Sequence, residues 1–262
     1  MNNEELKEYT LDRISQEGVW ERLKEYGEPI FTVVTGAHNF GFPSHNSDID
    51  IRGVYVAPTD RMLGLRRRAN EPVFDYFSDD RELDVTIEEL GKYLELLCKS
   101  NGDRLEWINS DFLLSSGPDF YSLKNTVEKA GVSKKLLNYY LHFGQNVWNG
   151  ETNADGIKRD LYTLRIYMTG IKLLEEGVVD SNLPRLNQKF GFSVVDELIT
   201  LKEKDEKRGS EGYSRERVAE VVEGLDERIQ RSVERSTLPD EPDKDWINEY
   251  LIGLRRSKMG AA

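Results

Sequence analysis

The sequence predicts an α+β fold: a small mixed-sheet domain over residues 1–115, followed by an α-helical domain over residues 116–262. Three observations lead there. Short β-branched runs bounded by Gly and Pro are confined to the first ~115 residues, as strands require. Beyond about Phe120 the apolar period is helical throughout. A length of 262 residues, set against a typical ~150 per domain, fits one large domain or two small ones.

Residues 4–26 read as an amphipathic helix, with Leu6, Leu11, Ile14, Trp20 and Leu23 near helical spacing and Gly27 as a stop. Residues 29–35 (PIFTVVT) are β-branched and bounded by Pro29 and Gly36, which predicts a buried strand. A loop rich in Gly, Asn, Ser and Pro is expected from Gly36 to Ser47. A second strand is expected over 48–56 (DIDIRGVYV) and a third over 82–87 (ELDVTI), running into a helix over 87–99. Further helices are expected at 134–148, 157–176, 194–206, 215–234 and 245–256, separated by turn clusters at 149–156 and 208–212.

Composition narrows the function classes. There are 36 Lys+Arg against 48 Asp+Glu, a net charge of −12, which argues against a protein that coats duplex DNA through bulk positive charge. Local contact with nucleic acid and retention of divalent cations both remain open. With 38% hydrophobic and 10% aromatic residues the chain can build a core. The mean hydropathy is −0.62, and no apolar run approaches the ~18 residues that cross a bilayer. The single cysteine, Cys98, excludes an internal disulfide and a cysteine-based zinc site. The N-terminal residues are polar and acidic, unlike a secretory signal, so a cytoplasmic location is expected.

The informative stretch is TGAHNFGFPSHNSDIDIRG, residues 35–53. Asp48 and Asp50 lie two apart on an expected strand, so both carboxylates share a face, with Cα atoms roughly 6.6 Å apart. Ile49 and Ile51 take the core face. Like charges side by side on a sheet are unfavourable unless something offsets them, and a divalent cation is the usual remedy. Asp84 alternates with Leu83 and Val85 and would join them if its strand pairs beside the first. Three carboxylates without a thiol or histidine suit Mg²⁺ or Mn²⁺. Such an ion keeps positions open for phosphate oxygens, and a two-ion site can activate a hydroxyl and stabilise departing pyrophosphate. Gly36 and Gly41, directly after a strand, let backbone N–H groups approach phosphate.

Gly36-Ala37, ten intervening residues and Asp48-Ile49-Asp50 resemble the Gly-Ser…Asp-x-Asp signature of the DNA polymerase β-like nucleotidyltransferase superfamily. The fuller string GAHNFG…SDIDIRGVYV is similar to the predicted nucleotidyltransferases of the YcgL type, including members found beside RNA ligases in RNA-repair gene neighbourhoods. The likeness is strongest in this motif and extends through Asp84 and residues 101–106 to the helical stretch 158–177. It implies a polymerase β palm-like domain that takes an NTP with Mg²⁺ or Mn²⁺ and transfers NMP to an acceptor hydroxyl. Asp48, Asp50 and Asp84 would then hold metal and serve catalysis. Gly36, Ala37, Ser47, Lys158 and Arg165 would lie beside the nucleotide. RNA-repair association makes an RNA 3′-end the leading acceptor, with a protein or a small molecule as alternatives. The sequence departs from the signature at Ala37, where the superfamily has serine. Losing one hydrogen bond to a charged group costs roughly 1.5–3 kcal/mol, and Ser47 is no obvious substitute. A slowly turning or non-catalytic nucleotide sensor is the competing class.

Blander readings stand beside these. Asp75, Asp79 and Asp80 compete with Asp84 or are surface charge, and Arg66–Arg68 reads as a solvated loop or a phosphate contact. Lys158, Arg165 and Lys172 recur every seven residues beside an apolar helix face. They either snorkel at a core edge or line a phosphate cleft. Asn101 and Glu106 read as substrate contacts or as a cap and a surface charge. His38 could touch nucleotide from the loop, His45 and His142 read as surface, and Tyr139, Tyr140, Phe143 and Trp148 read as core.

Overall fold

The computed structural model describes residues 3–63, 73–80, 82–154, 156–204 and 213–259. The triple arginine at 66–68 and the turn cluster at 208–212 lie outside these residues. The elements run α1 (Asn3–Gln16), α2 (Val19–Tyr26), β1 (Glu28–Val34), α3 (Gly36–Phe40), β2 (Ile49–Val56), α4 (Thr59–Leu63), β3 (Val73–Phe77), β4 (Leu83–Glu89), α5 (Leu90–Cys98), α6 (Gly102–Ile108), β5 (Leu113–Ser116) and α7 (Phe120–Thr126). A π-helical turn (Val127–Gly131), α8 (Leu136–Trp148), α9 (Gly156–Glu176), α10 (Leu183–Phe190), α11 (Ser193–Lys204), α12 (Arg215–Arg235) and α13 (Lys244–Ser257) complete the chain. The class is α+β. No helix among the described residues is long and apolar enough to cross a membrane.

The single helix expected over 4–26 is two helices. Gly18 adopts a left-handed backbone (φ 62°), which breaks the run after Gln16 and starts α2 at Val19. The 36–47 segment opens as the short helix α3 instead of a loop throughout.

The chain forms two compact units. One holds residues 1–36, 48–131 and 242–262; the other holds 37–47 and 132–241. The division is therefore not between two consecutive segments. The β1–β2 connection groups with the helical unit, and α13 groups with the sheet.

The first unit is built on a five-stranded sheet in the order β3-β4-β2-β1-β5. Only β2 and β4 run parallel; the other neighbours are antiparallel, so the sheet is mixed. Alternation sets its faces. Ile49, Ile51, Tyr55, Leu83, Val85, Ile87 and Phe74 bury against Leu6 and Ile14 of α1 and Val19 and Leu23 of α2. The opposite face carries Phe31, whose ring meets Tyr93 of α5 and Phe120 of α7 at centroid distances of 6.2 and 5.6 Å. Phe31 pairs with Val54 and Val33 with Arg52, so Asp50 and Arg52 lie on this second face, toward the start of β2. Glu89 caps α5 by accepting the Gly91 N–H and also accepts from Arg255 of α13 at 2.7 Å.

In the helical unit α9 is central, contacted by α8, α10, α11 and α12. It is buried along most of its length, from Asp160 to Leu174. Asn182, Pro184 and Gly191 define α10: the Asn182 side chain accepts the Arg185 N–H, and Gly191 closes the helix in a left-handed conformation.

Candidate active site

The two central carboxylates are brought together by strand register. Asp50 and Asp84 are direct partners across the parallel β2–β4 pair, on strands that lie ~4.8 Å apart. At an effective dielectric of ~20, two charges at that separation repel by about 3–4 kcal/mol. The offset is a side chain. The Arg52 guanidinium, on the same face two residues beyond Asp50, donates to Asp50 Oδ1 at 3.0 Å and to both Asp84 carboxylate oxygens at 3.1 Å. It also donates to the carbonyls of Ile51 and Asp84, each at 2.9 Å. All three side chains are half-buried, at 18–25% exposure, where such charge-assisted pairs outweigh exposed ones.

Gly36 is shaped by this site. Its φ of +63° lies in the left-handed region, and a Cβ there would stand 1.9 Å from Asp50 Oδ2. The glycine therefore supplies both the turn out of β1 and the space that the carboxylate occupies. One residue earlier, the Thr35 N–H donates to the Asp50 carbonyl at 2.7 Å, fixing β1 against β2 at this level. Asp48 lies just ahead of β2 and is exposed.

The other expected site residues belong to the helical unit. Ala37 is buried, and its carbonyl accepts the Phe42 N–H. Ser47 closes a turn, its hydroxyl accepting the Ser44 N–H at 2.9 Å. Arg165, 2% exposed, places its guanidinium 3.9 Å from the Phe40 ring centroid, and Lys202, equally buried, holds its ammonium 4.8 Å from the Phe42 ring. Tyr162 meets both phenylalanines edge-on. Asn39 donates to the Ser181 hydroxyl at 3.0 Å, and a Cβ at Gly41 would meet the Asn182 amide at 2.7 Å. Segment 37–47 is thus seated on α9, α10 and α11 by aromatic, cationic and amide contacts. Lys158 is exposed near the start of α9, and Lys172 pairs with Asp180.

Several side chains resolve to structural partners. Asp75 accepts from the Thr86 hydroxyl. Asp80 sits below its ordinary pKa because the Ser78 hydroxyl and the Glu82 N–H donate to it, with Arg13 beside it. Asn101 caps α6, whereas Glu106 is buried instead of lying at the surface. Tyr140 is core, while Tyr139, Phe143 and Trp148 are half-buried. Burial raises the Cys98 thiol above its ordinary pKa, away from nucleophilic use.

Comparison with known proteins gives these observations a family. A model of the RNA repair pathway DNA polymerase beta family, RlaP, matches residues 5–253. The chain belongs to that family. Its role is nucleotidyl transfer in the general sense, and the RlaP match spans all of the helical unit and most of the sheet unit. The chain is 28% identical over 225 residues to the uncharacterized protein MJ0002 of Methanocaldococcus jannaschii, covering 82% of this chain and 89% of that one. It is 35% identical over 94 residues to the uncharacterized protein YcgL of Bacillus subtilis, 34% of each chain. Among solved structures it aligns with a nucleotidyltransferase-like protein from Exiguobacterium sibiricum at 14% identity, over 96% of this chain and 80% of that one, with a TM-score of 0.30.

A divalent ion fits the donors of this RlaP-family site in kind: Asp50 and Asp84 offer hard carboxylate oxygens in register. As placed, however, no group of three His, Cys, Asp or Glu side chains among the described residues is set to hold a metal, and Arg52 bridges the two partners. Arg52 is the residue that sequence reasoning missed. Strand alternation in the string D-I-D-I-R puts Arg52 on the face of Asp50, but its link to Asp84 comes only from the β2–β4 register.

Proposed function

We propose that the chain transfers NMP from an NTP to an acceptor hydroxyl, with an RNA 3′-end as the acceptor. The observation that carries this reading is the Asp50–Asp84 register beside Gly36, in a chain of the RlaP family. Asp48, Asp50 and Asp84 would hold Mg²⁺ or Mn²⁺, which when bound supplies charge neutralisation for the phosphates. Gly36, Ala37, Ser47, Lys158 and Arg165 would bind the nucleotide. The acceptor oxygen forms a bond to the α-phosphorus as the bond to the bridging α–β oxygen breaks. The departing oxygen carries its electron pair into pyrophosphate, and the hydroxyl proton passes to the Asp84 carboxylate.

Label transfer tests this. The protein is incubated with each α-³²P-labelled NTP, Mg²⁺ or Mn²⁺ and cellular RNA and protein, beside Asp50→Asn. A ribonuclease-sensitive product absent in the variant is expected. A protease-sensitive product would move the acceptor to protein, and unchanged labelling by Asp50→Asn would overturn the site assignment. Ala37, in place of the signature serine, favours a second reading as a nucleotide sensor. That reading predicts thermal stabilisation by NTP and metal with no labelled product.

A further inference from the structure

We propose that Arg52 is an internal counter-cation that competes with divalent metal for Asp50 and Asp84, so that metal enters tightly only when nucleotide phosphates take over the guanidinium. The inference rests on the reading of this site as a metal-dependent nucleotidyltransferase. Its basis is geometric. The guanidinium contacts Asp50 Oδ1 and both Asp84 carboxylate oxygens, three of the four oxygens that the pair could offer a metal. One positive charge leaves the pair at a net −1. Adding a divalent ion while Arg52 stays would put two cations within a few ångströms of each other, and at like separation a divalent ion repels the guanidinium about twice as strongly as the two carboxylates repel each other.

The guanidinium must therefore have another anion to go to. Its fork geometry suits a phosphate as well as a carboxylate. An NTP held along Gly36 would supply one, because the Asp50 carboxylate lies beside Gly36, in the space that a Cβ there would fill. When the competent state is a small fraction of the whole, apparent affinity falls by that fraction. Metal alone should then bind weakly, and metal and nucleotide should each strengthen the other by the same factor.

The test is Mn²⁺ binding to the full chain, read by electron paramagnetic resonance. It is made with Mn²⁺ alone and then with each of the four α,β-methylene NTPs, which cannot transfer. Arg52→Gln should bind Mn²⁺ alone at least about tenfold more tightly than the native chain, and the analogue should strengthen its Mn²⁺ binding far less. Arg52→Lys, which keeps a charge but loses the fork, should fall between the two. It decides the matter if near-UV circular dichroism shows Arg52→Gln unfolded: tighter binding than native supports the proposal, and equal or weaker binding overturns it. If neither variant binds Mn²⁺ more tightly while Asp50→Asn abolishes binding, Arg52 only braces the strands and the proposal falls, although the metal site survives. If no form binds Mn²⁺ with or without analogue, both the proposal and the metal-dependent reading fall.

Discussion

At the scale of single residues, the site depends on what Gly36 lacks. Gly36→Ala would force a side chain into the left-handed region, at about 1–2 kcal/mol, and would drive its Cβ into the Asp50 carboxylate. For a unit of this size that strain corresponds to a fall in melting temperature of roughly 2–8 °C. Displacing Asp50 should reduce label transfer by more than about tenfold, since each 1.36 kcal/mol of barrier is a factor of ten. Scanning calorimetry beside the transfer assay checks both, and full activity at a lowered melting temperature would separate Gly36 from the chemistry. Asp50 was legible in the sequence, because strand alternation and the glycine spacing are local, whereas Asp48, expected on the same strand face, lies ahead of β2 and is exposed. Arg52 was not legible. A cation two residues along a strand reads as a solvated face until register brings Asp84 beside Asp50, and register is a property of two distant segments.

At the scale of elements, the α9–α10 connection is held by one buried carboxylate. Asp180 accepts from Lys172 of α9 at 2.8 Å, from Arg185 of α10 at 2.7 and 2.8 Å, and from the Asn182 N–H at 3.1 Å. Burial pushes its pKa up, but the Arg185 and Lys172 hydrogen bonds outweigh it and hold the group below its ordinary value. A carboxylate depressed in the folded state stabilises it fully above the unfolded pKa of ~3.9, and that contribution is lost as pH falls through the folded value. Asp180→Asn should therefore cost roughly 1.5–3 kcal/mol at neutral pH. The gap from the native chain should close only in acid below about pH 4, as followed by urea unfolding across pH. A gap independent of pH would remove ionisation from the account. Element prediction succeeded where patterns were long: β1, β2, β4 and the helices α8, α9, α11, α12 and α13 lie close to their expected places. It missed β3 and β5, of five and four residues, whose sequences VFDYF and LLSS are too short for a period to emerge. It also missed α10, which is marked chiefly by its Asn182 cap and Gly191 stop.

At the scale of the whole molecule, the sheet unit is assembled from three stretches of chain, the last being 242–262. Arg255 of α13 pairs with Glu89, which is 4% exposed, and the Arg255 carbonyl accepts the Thr59 hydroxyl at 2.9 Å. Lys258, just past α13, reaches Glu28 and Asp119. Arg255→Gln should leave Glu89 buried without its cation and destabilise the sheet unit by roughly 3 kcal/mol, measured by guanidinium unfolding with the tryptophan signal. No change would show that α13 is held by its apolar face alone. The expectation of consecutive domains could not have anticipated this arrangement, because local periodicity identifies α13 as a helix without saying which core it joins. The same threading constrains biosynthesis. The chain passes from one unit to the other four times, and residues 242–262 leave the ribosome only after every residue of the helical unit. The helical unit can therefore close during translation while the sheet unit is still short of the helix whose Arg255 pairs with the buried Glu89.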